Sequence, residues 1–196
     1  MATLEVYLEV APRRTFACAV DWPGWCRSGK TRDDALETLA AYADRYRAVA
    51  PKLPRRIELA VVEELPGGGA TEFGALDKPC SLDQRPLTAA DARRLADIVE
   101  ASWGLLDQIA AGAPAVLRKG PRGGGRDRDA IVEHVAEAER SYFRSVGIRS
   151  GSRGEFVAAL RAARDPAPHR WPWRYAARRV AWHVLDHAWE IEDKSS

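Results

Sequence analysis

The chain has 196 residues, 46% apolar and 30% charged, with 30 basic against 28 acidic side chains and a net charge of +2. That length suits one large domain or two small ones, and the composition excludes a disordered or fibrous chain. So even a charge balance carries no footprint for nucleic acid, and none is expected as a partner.

The first residues, Met-Ala-Thr-Leu-Glu-Val-Tyr, lack a basic segment followed by an apolar run, so no signal peptide is expected. Leu4, Val6, Leu8 and Val10 alternate with Glu5, Tyr7 and Glu9 in the period-two manner of a strand. Thr15 to Val20 predicts a second strand, and Trp22-Pro-Gly-Trp25 a turn, because Pro presets φ and Gly accepts positive φ. Cys26-Arg-Ser-Gly adds a short third strand. A helix follows from an N-cap at Thr31, with Asp33 and Asp34 in its first turn, and ends at Pro51 and Pro54. Ile57 to Leu65 predicts a further strand, closed by Pro66-Gly-Gly-Gly69.

This β-β-β-α-β order describes an α+β domain over residues 1–69. Residues 70–86 have Gly and Pro but no period, and read as a linker. The three cysteines, Cys18, Cys26 and Cys80, are odd in number and form no Cys-x-x-Cys pair, which points to free thiols in a reducing compartment.

From Thr88 the period becomes 3.6. Helices are predicted over Ala89–Ala111, capped by Thr88 with Asp91 in a capping-box position, and over about Arg128–Val146, Arg153–Arg164 and Pro172–Asp193. Four such helices in residues 87–196 suggest an all-α antiparallel bundle. No apolar run reaches membrane-spanning length, so the expected setting is cytoplasmic with no membrane partner.

The last helix carries His183 and His187, four residues apart and therefore on one face. Val180, Val184 and Ile191 share that face, so the pair lies on an apolar stripe. His134, between Ile131 and Val135 on the second bundle helix, is a third imidazole on an apolar face. A lone histidine so placed is usually a hydrogen-bonded core residue. Three of the chain's four are better explained as ligands to a divalent transition ion, with zinc the default and nickel next. Glu137, Asp186 and Glu190 neighbour them, either as orienting carboxylates or, for Asp186 and Glu190 more readily, as surface charges.

Arg118 to Arg128 packs five cations and four glycines into eleven residues without a P-loop ending. Arg122 and Arg126 there are candidate anion-binding groups, weighed evenly against a solvated connector. Trp171 and Trp173 line a pocket or, more readily, pack between bundle ends, Trp182 and Trp189 read as core packing or a dimer face, and Cys18 and Cys26 read as structural.

On His134 in Ile-Val-Glu-His-Val-Ala-Glu, and on His183 and His187 in Ala-Trp-His-Val-Leu-Asp-His-Ala-Trp-Glu, residues 86–193 resemble the DinB-like superfamily of four-helix metalloproteins. The resemblance implies His134, His183 and His187 as metal ligands. It also implies a metal-dependent transferase, isomerase or hydrolase in which a low-molecular-weight thiol attacks an electrophilic small-molecule substrate, and often a homodimer. An Ala-, Arg- and Gly-heavy composition points to a GC-rich genome, and mycothiol is the thiol expected on that ground.

The stretch Val20-Asp-Trp-Pro-Gly-Trp-Cys26-Arg-Ser-Gly-Lys-Thr31-Arg-Asp-Asp-Ala-Leu-Glu-Thr looks like the small α+β domain of HicB-type antitoxins. It implies a second class of function: a non-catalytic binding or regulatory protein whose first domain docks a protein partner and whose bundle holds a structural ion or none.

Overall fold

The computed structural model describes residues 1–120, 124–164 and 170–195. Four strands come first: β1 (Ala2–Val10), β2 (Thr15–Ala19), β3 (Cys26–Gly29) and, after two helices, β4 (Ile57–Pro66). They form one sheet in the order β3-β2-β1-β4. β1 and β2 are antiparallel, with Val6 opposite Ala19 and Val10 opposite Thr15. β4 runs parallel to β1, with a register slip between Val6 and Tyr7. A parallel neighbour needs a crossover connection, and α1 (Arg32–Ala41) and α2 (Ala43–Tyr46) lie in it. α1 starts as the sequence predicts: Thr31 Oγ1 accepts from Asp34 N–H at 3.1 Å, and the Asp34 carboxylate accepts from Thr31 N–H. The chain is therefore α+β, with the sheet in its first part and most of its helix in the second.

Alternation along β1 sends Val6 and Leu8 to one face and Tyr7 and Glu9 to the other, yet all four are fully buried. On the first face Val6, Leu8, Ala17 and Ala19 pack with Trp25, Leu39 and Tyr46, and also with Ile98, Leu185 and Trp189 from the helical part. The second face is covered by the span read as a linker. It contains α3 (Gly69–Phe73) and a 3₁₀ turn at Ser81–Gln84, and its Leu76 and Cys80 pack with Tyr7, Phe16, Cys18, Cys26 and Trp182. Glu9 holds the span down. Its buried carboxylate accepts from the Thr71 hydroxyl and from the backbone N–H groups of Asp77 and Lys78. A carboxylate can be buried only when its oxygens are hydrogen-bonded in this way.

The helical part comprises α4 (Ala89–Gly112), α5 (Arg128–Ser145), α6 (Arg153–Ala162) and α7 (Trp173–Lys194). Each bound lies within two residues of its prediction. Thr88 caps α4, its hydroxyl accepting from Asp91 N–H at 3.0 Å. α7 packs on α4 and α5, and α6 packs on α4. Leu95, Val99, Trp103, Leu106, Ile131, Val135, Phe143, Phe156, Val180 and Val184 form the core between them. Glu139 is buried there, accepting from Trp103 Nε1 and from both the Nε and an Nη of Arg153. Among the described residues, no helix is long and apolar enough to cross a membrane.

α7 is buried along much of its length, Arg174 and Arg178 included. Arg178, wholly buried, meets both Asp83 oxygens at 2.7 and 2.8 Å and donates to the carbonyl of Val20 at 2.9 Å. Arg174 reaches Asp21 at 2.8 Å and Asp91 at 3.3 Å. These pairs, with Arg27–Asp186 at 3.0 Å, tie the last helix to β3, the turn after β2, the 3₁₀ turn and α4.

Candidate metal centre

α5 and α7 lie side by side, and each turns one histidine-bearing face inward. On α5 the buried Ile131 and Val135 flank His134; on α7 the buried Val180, Val184 and Ile191 line the face that carries His183 and His187. The ring centroids are 5.1 Å apart for His134–His183 and His134–His187 and 4.6 Å for His183–His187. One nitrogen from each ring can be chosen so that all three lie within 4.8 Å of one another. Nitrogens sharing an ion through bonds of about 2.0–2.1 Å stand no more than about 4 Å apart. Small side-chain adjustments therefore suffice for convergence, and the three histidines lie close enough to hold a metal ion.

The protonation chemistry suits ligands. Burial drives the His183 pKa down to about 2, helped by the neighbouring His187, His134, Arg179 and Arg126. Burial, then Arg126 and His187, lowers His134 as well. Both are neutral imidazoles at pH 7 with a lone pair to give, which is the form a metal binds.

His187 has a partner. Its Nδ1 lies 2.7 Å from Glu190 Oε2, and that hydrogen bond, aided by Lys194, depresses the Glu190 pKa to about 2. An ionised carboxylate only accepts, so Nδ1 carries the proton and Nε2 is left as the ligand atom. His183 supplies a further test of fit. Its Nδ1 is buried with no hydrogen-bond partner, an unmet bond that costs about 1–3 kcal/mol for a polar atom withdrawn from water. An ion bound through Nδ1 would satisfy it directly.

The other expectations sort clearly. Glu190 orients a ring, whereas Asp186 pairs with Arg27 and Glu137 is exposed. The surface-charge reading favoured for Glu190 does not describe it. Arg126 is exposed just before α5, and its charge reaches His134 and His183; Arg122 lies outside the described residues. Trp189 packs against Tyr42, and Trp182 edge-on to Phe16. Cys18, Cys26 and Cys80 are free and buried. Among the described residues, the centre also includes two residues that sequence reasoning passed over as site groups. Tyr142 meets His183 at 5.6 Å between ring centroids, and Arg179 stands one turn before it on α7. The i−4 position was the available signal for Arg179.

Compared with family models, with curated proteins and with solved structures, the chain matches none.

Proposed function

We propose that the chain is a metal-dependent enzyme whose ion is held by His134, His183 and His187. The convergence of three imidazoles from two helices, one of them oriented by Glu190, carries this reading. Three protein ligands are the pattern of a catalytic site with a position left for water or substrate. Zinc fits the donor set by default and nickel next.

A divalent ion there would supply the means to deprotonate a water or thiol near neutral pH. The chain's own groups do the rest. Glu190 keeps the His187 proton on Nδ1, and the apolar residues Val180, Val184 and Ile131 beside the ligands leave His183 buried while His134 and His187 stay partly exposed. Tyr142, Trp171 and Trp182 surround His183 and its neighbours with aromatic surface suited to a small organic molecule. The reaction class proposed is transfer, isomerisation or hydrolysis in which a low-molecular-weight thiol, mycothiol among the candidates, acts as nucleophile or cofactor.

Metal analysis of tag-free protein is the direct test. About one equivalent of zinc or nickel in the native protein, lost in His183→Ala with the fold intact by circular dichroism, is the expected result. A native protein with no stoichiometric transition metal, even after incubation with zinc, would remove the basis for the enzyme. If metal is present, thermal unfolding with and without mycothiol, glutathione and cysteine tests the thiol: no shift with any of them leaves the ion structural.

A further inference from the structure

α7 carries three arginines along one stretch, and they are treated differently. Arg174 and Arg178 meet carboxylates of Asp21, Asp91 and Asp83. Arg179 pairs with no carboxylate among the described residues, and its Nη1 is buried without a hydrogen-bond partner. Four residues before His183, it stands on the face that carries His183 and His187. Its guanidinium carbon lies 5.1 Å from the centre of the Tyr142 ring and 5.0 Å from that of Trp182. Those two rings also neighbour His183, at 5.6 and 6.0 Å. Aromatic faces hold the planar cation in place. The guanidinium also donates a hydrogen bond to the Tyr142 side chain, yet Nη1 is left without an acceptor.

Charge around the centre is unbalanced in the same sense. Three imidazoles bring no negative charge. Glu190 is taken up by His187 and Lys194, and Glu137 is exposed. Arg126, exposed in the segment that leads into α5, adds a second cation on this side, while Glu137 and Glu190 also act on His134. A divalent ion would widen the surplus further. A buried donor with no acceptor and a net positive site both call for an oxyanion from outside the chain, and a guanidinium fork is the side chain best matched to one.

We propose that Arg179, assisted by Arg126, is an oxyanion-binding subsite beside the three-histidine centre, so that the molecule taken there carries a carboxylate or phosphate group. The proposal rests on the metal-centre reading for its role in a reaction, and the binding it predicts is measurable with or without metal. The subsite would set specificity: the anionic group docks on Arg179 and presents the rest of the molecule toward the histidines one turn further along α7.

Zinc-loaded and metal-free protein are titrated with benzoate, inorganic phosphate and uncharged benzamide, following tryptophan fluorescence because Trp182 lies against Arg179. Benzoate or phosphate is expected to bind and benzamide not, and the stronger of the two anions identifies the group. Arg179→Gln is expected to weaken anion binding at least about tenfold, the loss of a charge-assisted fork. Arg126→Gln should give a smaller, salt-sensitive loss. If Arg179→Gln fails to fold, Arg179→Lys retains the charge without the fork and is expected to bind phosphate better than benzoate.

No anion binding by the native protein, equal binding of benzamide and benzoate, or unchanged affinity in the Arg179 variants would overturn the subsite. Metal content on the same samples reports separately on the centre. Anion binding that persists in a protein unable to hold zinc keeps the subsite and discards the metal reading.

Discussion

At His183 a single buried nitrogen links acidity to folding. Its pKa falls from the ordinary histidine range to about 2 on folding, so between those values the unfolded chain binds a proton that the folded chain refuses. Stability therefore rises with pH across this window and is lost as pH falls from about 6.5 toward 2. At about 1.4 kcal/mol per unit, acidifying metal-free protein from pH 6.5 to 5 should cost about 2 kcal/mol at this residue. His134, also lowered, adds in the same direction. Glu190 acts in a lower window, its contribution complete above the ordinary carboxylate range and lost toward pH 2. Urea unfolding of metal-free protein at pH 7, 6 and 5 checks this, and a His183→Phe variant should flatten the dependence. An equally steep fall in that variant would locate the acid sensitivity elsewhere.

The ligands themselves were legible in the sequence, because helical spacing and apolar neighbours are enough to place His134, His183 and His187 on buried faces. Glu190 was not separable from a solvated charge, since a carboxylate three residues after a histidine is equally at home on a surface. The i−4 spacing places Arg179 on the histidine face, but the missing carboxylate that distinguishes it from Arg174 and Arg178 is a three-dimensional fact.

Among elements, the four helices from Thr88 on were legible to within two residues from caps and period. The first helix, expected to run to Pro51, ends at Ala41 with α2 (Ala43–Tyr46) after it, α3 was not foreseen, and the sheet was legible only as separate strands. Nothing in β4 announces that its neighbour is β1 and runs parallel, because pairing is made across the intervening crossover. The burial of Tyr7 and Glu9 was equally hidden. What covers them comes from residues 70–86, whose lack of period conceals a packed layer.

The Pro23-Gly24 turn has a purpose beyond turning. Gly24 has φ +87°, and a Cβ there would lie 2.8 Å from Leu185 Cδ1 and 2.9 Å from Ala181 Cβ on α7. Gly24→Ala is therefore strained in backbone and contact together, and should lose about 2–4 kcal/mol by chemical denaturation. A loss under about 0.5 kcal/mol would mean that the turn and the helix separate at little cost. Arg178→Met leaves Asp83 buried without its cation and should cost about 3–5 kcal/mol; pairing it with Asp83→Leu should recover part of that loss, since the uncompensated charge is gone.

On the scale of the whole molecule, the sheet and the helices meet through a shared core in which Ile98, Leu185 and Trp189 sit among residues of the first part. Calorimetry should therefore show one unfolding transition, and saturating zinc should move all of it, because an ion bound only by the folded chain stabilises whatever unfolds with its site. Two transitions, with only the second shifted by metal, would show that the parts melt independently.

α7 has two working sides. His183 and His187 face the bundle, while Leu185 and Trp189, two residues on from each, face the sheet. Removing residues 1–86 would strip one side of that rod, exposing an indole, a leucine and the charge of an arginine whose counter-ion had gone. The first part of the chain thus serves as the outer wall of the second, and the histidine pair stands on a helix whose two sides are covered by different parts of the chain.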